Sequence, residues 1–98
     1  MAELRFTWDN RKAAQNHRDH RVAFEEAKTV FLDEHALLID DRDHSDDEER
    51  LLLLGISFNL RLIAVVHCYR ESDEVIRIIS ARKATRTERN IYNQRWRR

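Results

Sequence analysis

The sequence predicts an α+β domain, an antiparallel sheet with helices packed against it, in the order β-α-α-β-β-β-β-α. Three observations predict it. Two helical stretches precede a run of strands. The gaps within that run are too short for a crossover, which implies antiparallel hairpins. A strong helix-start signal follows the last strand. The 98 residues make one domain, 1–98, because a single core usually takes about 100–200 residues.

Residues 3–8 (ELRFTW) alternate polar and apolar side chains, as a half-buried strand does. Asp9 is placed to cap a helix over residues 10–20, with Ala13, Ala14 and His17 as its narrow inner stripe. A second helix over residues 24–31 sets Phe24, Ala27 and Phe31 on one face. Glu25 and Glu26 lie in its first turn, where the helix dipole favours acids. Residues 37–39 read as a short strand. Residues 40–49 are a solvated loop, since seven of the ten are acidic. Residues 50–57, 61–69 and 75–81 read as three strands. Thr85-Arg86-Thr87-Glu88 fits the S/T-x-x-E capping box and starts a last helix carrying Ile91, Tyr92, Arg95 and Trp96 at helical spacing.

Composition narrows the function. Apolar residues make up 42% of the chain, close to the globular norm, so it is not disordered by composition; a core of this size is adequate but not generous, and an obligate partner could add to it. Proline is absent and Gly55 is the single glycine, which excludes Gly-rich phosphate loops of the dinucleotide-binding and Walker types. Cys68 is the one cysteine, so no internal disulfide is expected and a reducing compartment is favoured. The first ten residues lack a signal-peptide core, and no apolar run approaches the roughly 20 residues of a membrane span. A cytoplasmic protein with no membrane contact is expected.

The formal net charge is zero, and it conceals a split. Residues 1–49 hold 7 basic and 14 acidic side chains; residues 50–98 hold 11 basic and 4 acidic. Such segregation points to a polyanion-binding face or an acidic–basic partner surface. Arg50, Arg61, Arg77 and Arg82 lie on or beside the predicted strands. Arg77 interrupts the run Val75, Ile76, Ile78, Ile79, so it must reach solvent, a carboxylate or a ligand. The guanidinium fork matches phosphate bidentately and can stabilise charge growing on a phosphodiester. Arginines that merely pair with acids are the plainer alternative. His17 and His20 share a helix face but fall short of a zinc ligand set, and His67 and Cys68 point to opposite faces of a strand. No metal and no cofactor are expected. His44 and Glu49 are candidates for proton transfer, against the plainer reading of a solubilising acidic turn.

The motifs together resemble the BrnT toxin family. They are Trp8-Asp9, Asn16, His20, Phe24-Glu25-Glu26-Ala27, His44-Ser45 followed by Glu48-Glu49-Arg50, Gly55-Ile56-Ser57, and Ile78-Ile79-Ser80-Ala81-Arg82 leading into Glu88-Arg89. The resemblance runs over nearly the whole chain and rests on their joint order and spacing. It implies a RelE-like ribonuclease toxin fold and a type II toxin–antitoxin system. The toxin would cleave RNA and arrest translation as a metal-independent endoribonuclease. A BrnA-like antitoxin would neutralise it and bind operator DNA through a ribbon-helix-helix part, in a heterotetramer of two toxins and two antitoxins. On this reading Arg50, Arg77 and Arg82 contact phosphate, Glu49 and His44 transfer protons, and Arg61, Lys83 and Arg86 guide the RNA. The alternative is a non-catalytic binding module or inactive homologue acting through complex formation alone. Two departures stand out. The family commonly has Lys-His-Gly-Val where this chain has Asp19-His20-Arg21-Val22, so Arg21 must adopt a left-handed helix stop or end the helix differently. A glycine common before Arg61 is Leu60 here, with Asn59 expected to take any positive φ.

Overall fold

The computed structural model describes residues 4–40, 50–70 and 74–95. The elements are β1 (Arg5–Thr7), α1 (Asn10–His20), α2 (Phe24–Thr29) tightening into a 3₁₀ turn (Val30–Leu32), β2 (Leu37–Asp40), β3 (Leu51–Ile56), β4 (Leu62–Arg70), β5 (Val75–Lys83) and α3 (Arg86–Gln94). The order is the expected one. The sheet is mixed rather than antiparallel. Its strand order is β1-β5-β4-β3-β2, with β1 parallel to β5 and the other pairs antiparallel. The short gaps fix only the hairpins between successive strands. β1 has no such neighbour and takes the free margin beyond β5, which runs in its own direction.

Two helices pack on one face of the sheet and one on the other. Val22, Phe24, Ala27 and Val30 meet Leu53, Ile63, Val65, Ile78 and Ala81 on the α2 side, with Phe6, Trp8 and Phe31 against them. On the opposite face Tyr92 of α3 closes over Leu52, Leu54, Leu62 and Ala64. Gly55 lies where β3 passes under the 3₁₀ turn. A Cβ there would stand 2.9 Å from Val30 Cγ1 and 3.1 Å from both Ala36 Cβ and Asp33 Oδ2, so a side chain would force the layers apart.

α1 starts as expected, with Asp9 accepting from the Arg11 amide at 2.8 Å and the Lys12 amide at 3.3 Å. Its inner stripe differs. Ala14 and His17 are exposed, and Asn16 is the buried residue. β1 pairs only with residues 75–77 of β5, so α1 covers the β5 margin beyond, and Asn16 bonds to its backbone. The Asn16 amide donates to the carbonyls of Ala81 at 2.8 Å and Val22 at 2.9 Å. Its oxygen accepts from the Ala81 N–H at 3.0 Å. One side-chain amide thus stands in for the peptide of a missing neighbour strand.

Arg21 ends α1 in the left-handed conformation, φ 59°, with its N–H on the His17 carbonyl. The second positive φ falls on Leu60, 62°, not on Asn59. The Leu60 amide donates to the Ser57 carbonyl at 2.8 Å, and the Ser57 amide donates to the Arg61 carbonyl at 2.9 Å. This is a turn over residues 57–60 followed by a left-handed closing residue, which places the demand one position later. Leu60 is 84% exposed, so its side chain gives little packing in return. A left-handed non-glycine residue costs about 1–2 kcal/mol, and glycine loses about 0.4–1 kcal/mol in unfolded-chain entropy. Leu60→Gly is therefore expected to stabilise the protein, by roughly 0.5–1 kcal/mol. Thermal and urea unfolding measure it, and a destabilised variant would refute the strain.

His67 is fully buried in β4. Its ring meets Phe31 at 4.9 Å and Tyr69 at 5.6 Å, both edge-on. Nδ1 lies 3.2 Å from the Val65 carbonyl, and among the described residues Nε2 has no hydrogen-bond partner. Burial holds the imidazole below its ordinary value of 6.5, against a smaller opposing effect of that carbonyl. The unfolded chain then binds a proton that the folded chain resists, so stability falls as pH drops below about 6.5 toward the folded value. His67→Leu is expected to remove that slope. Urea midpoints between pH 5 and 8 test it, and an unchanged slope would point to other groups.

Candidate functional site

The sheet face on the α3 side carries two of the arginines. Leu52, Leu54, Leu62 and Ala64 gather under Tyr92 there. Arg82 stands opposite Ala64, a member of the cluster, and Arg77 stands opposite Cys68. Arg77 and Arg82 therefore share one face, and Arg50 stands just before β3; all three are half-buried.

Their surroundings differ. The Arg82 fork grips Glu88, Nη1 to Oε1 at 2.7 Å and Nη2 to Oε2 at 3.0 Å. Glu88 also completes the predicted capping box, accepting from the Thr85 amide at 2.9 Å while Thr85 Oγ1 accepts from the Glu88 amide at 3.1 Å. The Arg82 guanidinium is the main cause holding the Glu88 carboxyl below its ordinary value, against burial. The helix cap and the arginine are thus fixed by one carboxylate. Arg77 lines a groove with Thr7, Arg70 and Val75 at the β1 margin. Arg50 lines a different groove, against α1. Among the described residues neither Arg50 nor Arg77 has an ion pair. Lys83, at the end of β5, and Arg86, in the first turn of α3, are both exposed beside Arg82. Glu49 and His44 lie outside the described residues.

Arg61 is placed elsewhere. Expected to guide RNA, it instead donates from Nε to Glu26 Oε2 at 2.9 Å and from Nη2 to Glu26 Oε1 and to the Arg21 carbonyl. The Ser57 hydroxyl donates to the same carboxylate at 2.6 Å. Arg61 is the main cause of a lowered Glu26 pKa, opposed by burial. This group ties α2, the end of α1 and the β3–β4 hairpin together. Read as a first-turn acid, Glu26 gave no sign of being 5% exposed. A second tie was equally unseen: the Tyr92 hydroxyl and the Ile56 amide both donate to Asp33 Oδ2, at 2.6 and 2.8 Å.

The groove beside Arg50 was also missed. Lys12, Gln15, Asp19 and His20 line it from α1, with Ile79 of β5 opposite, around a volume of about 290 Å³. Positions 12, 15, 16, 19 and 20 repeat at helical spacing, and that polar stripe was the available signal. Ile79 is the extra residue where the β4–β5 register shifts, between Val66↔Ser80 and His67↔Ile78; such bulges re-aim side chains. Among the described residues no three His, Cys, Asp or Glu side chains gather as a metal site would, and no helix is long and apolar enough to cross a membrane. Chemically, the face offers guanidinium donors to an anion and a polar groove beside them.

The crystal structure at 1.1 Å of the Brucella abortus ribonuclease toxin BrnT is similar in fold, with a TM-score of 0.66 and 22% identity, covering 86% of this chain and 100% of that one. A search of curated proteins returns no match. The family described as "Ribonuclease toxin, BrnT, of type II toxin-antitoxin system" matches residues 8–88, a span that includes every element from α1 to β5 and the capping box of α3. The chain therefore belongs to the BrnT ribonuclease toxin family of type II toxin–antitoxin systems.

Proposed function

We propose that the protein is a RelE-like endoribonuclease toxin that cuts RNA on its arginine-bearing sheet face and so arrests translation in the cytoplasm. The observation that supports this reading is the sharing of one sheet face by Arg77 and Arg82, with Arg50 in a polar groove against α1. In the reaction the ribose 2′-oxygen attacks the adjacent phosphorus, the bond from phosphorus to the 5′-oxygen breaks, and a cyclic phosphate forms. One proton leaves the 2′-hydroxyl and one is delivered to the 5′-oxygen. Glu49 and His44 remain the candidates for these transfers. The guanidiniums stabilise the dianionic transition state, which needs no metal. Lys83 and Arg86 extend the cationic surface along β5 and α3, whereas Arg61, held by Glu26, is better read as a structural tie. The partner is a BrnA-like ribbon-helix-helix antitoxin, in a complex of two toxins and two antitoxins that reaches operator DNA through the antitoxin.

Arg82→Ala is the test. Its pair with Glu88 is partly exposed, so losing it costs about 1 kcal/mol or less and the fold persists. Cleavage is expected to fall about 10²–10³-fold, and Arg82→Lys is expected to restore little because it lacks the fork. Total RNA and growth are followed after induction of each protein at matched soluble levels. Arrest by Arg82→Ala equal to the parent would remove Arg82 from the site. Arrest by neither, with both folded, would favour a module acting through complex formation alone, a reading that the engagement of Arg82 by Glu88 would then explain.

A further inference from the structure

We propose that the groove between α1 and the sheet is a nucleobase pocket of the nuclease, and that Asp19 makes it select guanine. The inference rests on the nuclease reading above. The side of a helix that faces its own sheet is ordinarily apolar. On α1 only Ala13 packs there with the core, and the amide of Asn16 holds the helix to Ala81. The polar side chains on the rest of that side serve no packing need, and they line a concavity. Its volume, about 290 Å³, lies just under the range of roughly 300–1,000 Å³ for ligand pockets, which suits a ligand no larger than one nucleotide.

Each wall offers what a nucleotide requires. Arg50 and Lys12 are cations for a phosphate. Ile79 is half-buried and offers an apolar surface to the flat face of a base. Gln15 and Asp19 are left to read its edge. Unpaired bases are read by hydrogen bonds on their Watson–Crick edges, and an ionised carboxylate only accepts. Guanine alone presents two adjacent donors on that edge, N1–H and N2–H, which fit the two carboxylate oxygens in parallel. Adenine and cytosine set a lone pair beside their amino group, and uracil flanks its one N–H with carbonyls; each repels a carboxylate. Among the described residues Asp19 has no ion pair, so it is available for this contact.

Two measurements on the full chain test the proposal. The first titrates the protein with 3′-GMP, 3′-AMP, 3′-CMP, 3′-UMP and inorganic phosphate, followed by amide NMR shifts. 3′-GMP is expected to bind at least tenfold more tightly than the other three, moving resonances of α1 and Ile79. Asp19→Asn, isosteric and exposed, is expected to bring 3′-GMP to the level of the others. Arg50→Ala is expected to weaken all four and phosphate alike. Equal affinity for the four nucleotides, or a guanine preference kept by Asp19→Asn, overturns the proposal. The second maps cleavage on an RNA of mixed sequence. Cutting beside guanine, lost in Asp19→Asn, supports the pocket. Cutting without base preference overturns it and leaves the nuclease standing. Selective 3′-GMP binding without any cleavage supports the pocket and removes the nuclease reading.

Discussion

Replacing Asn16 by alanine is expected to lower the free energy of unfolding by about 3 kcal/mol, a large part of the 5–15 kcal/mol a domain of this kind usually has. The reason is arithmetic of partners. Asn16 makes three hydrogen bonds, two to Ala81 and one to Val22. Both Ala81 and Val22 are fully buried. Alanine leaves one N–H and two carbonyls without their partner, and an unmet buried group costs about 1–3 kcal/mol. Urea unfolding reads the change as a lower midpoint with an unchanged slope. Asn16→Asp keeps the acceptor for the Ala81 N–H and loses both donors, so it is expected to be at least as damaging. A loss below about 1 kcal/mol for alanine would mean water replaces the amide at the sheet margin.

Glu26→Ala is expected to cost a similar amount, about 3 kcal/mol. It strips the acceptor from a guanidinium and a hydroxyl at once. The lower end of the range for broken buried pairs applies, because the Arg61 side chain is 30% exposed and partly screened. A double variant, Glu26→Leu with Arg61→Leu, is expected to be less damaged than Glu26→Ala, since no charge is then left unmatched. An equal or larger loss in the double variant would refute that account. The same carboxylate sets an acid limit. Its folded pKa lies below the ordinary 4.5, with Arg61 as the main cause. Its stabilisation is therefore complete above 4.5 and lost as pH falls through the folded value. Glu88 moves the same way for the sake of Arg82. Burial is the largest single influence on Asp33 and raises it, but bonds from Tyr92, Ile56 and His35 together bring it below its ordinary 3.8. Acid unfolding should thus show two steps, one beginning near 6.5 with His67 and one below 4.5 with the carboxylates.

What was legible in the sequence is what is local. Asp9 and the Thr85–Glu88 box announce helix starts because a cap is made within three residues. The strand runs and their hairpins follow from side-chain alternation and gap length. At Arg21 the family resemblance left a left-handed stop or a different helix end open, and the chain takes the left-handed stop. What was illegible depends on partners far along the chain. The direction of β1 depends on β5. Asn16 looked like a surface residue until a strand margin needed its amide. Arg61 and Glu26, apart, resemble an RNA contact and a helix-dipole acid; together they are one tie. Arg50 was picked out for its charge, but its groove required knowing that α1 lies across from it.

The sheet also dictates when during synthesis the site can exist. β5 lies between β1 and β4, and Asn16 reaches Ala81 across 65 positions of chain. The N-terminal strand and helix therefore have no place to dock until residues 75–83 have been made. Closing such long spans is slow compared with forming hairpins. Arg77 and Arg82 arrive on that same late strand. A ribosome that has not yet made β5 holds a chain with its core open and its arginine face unbuilt. Any activity of this face begins only once residues 75–83 have been made and have paired.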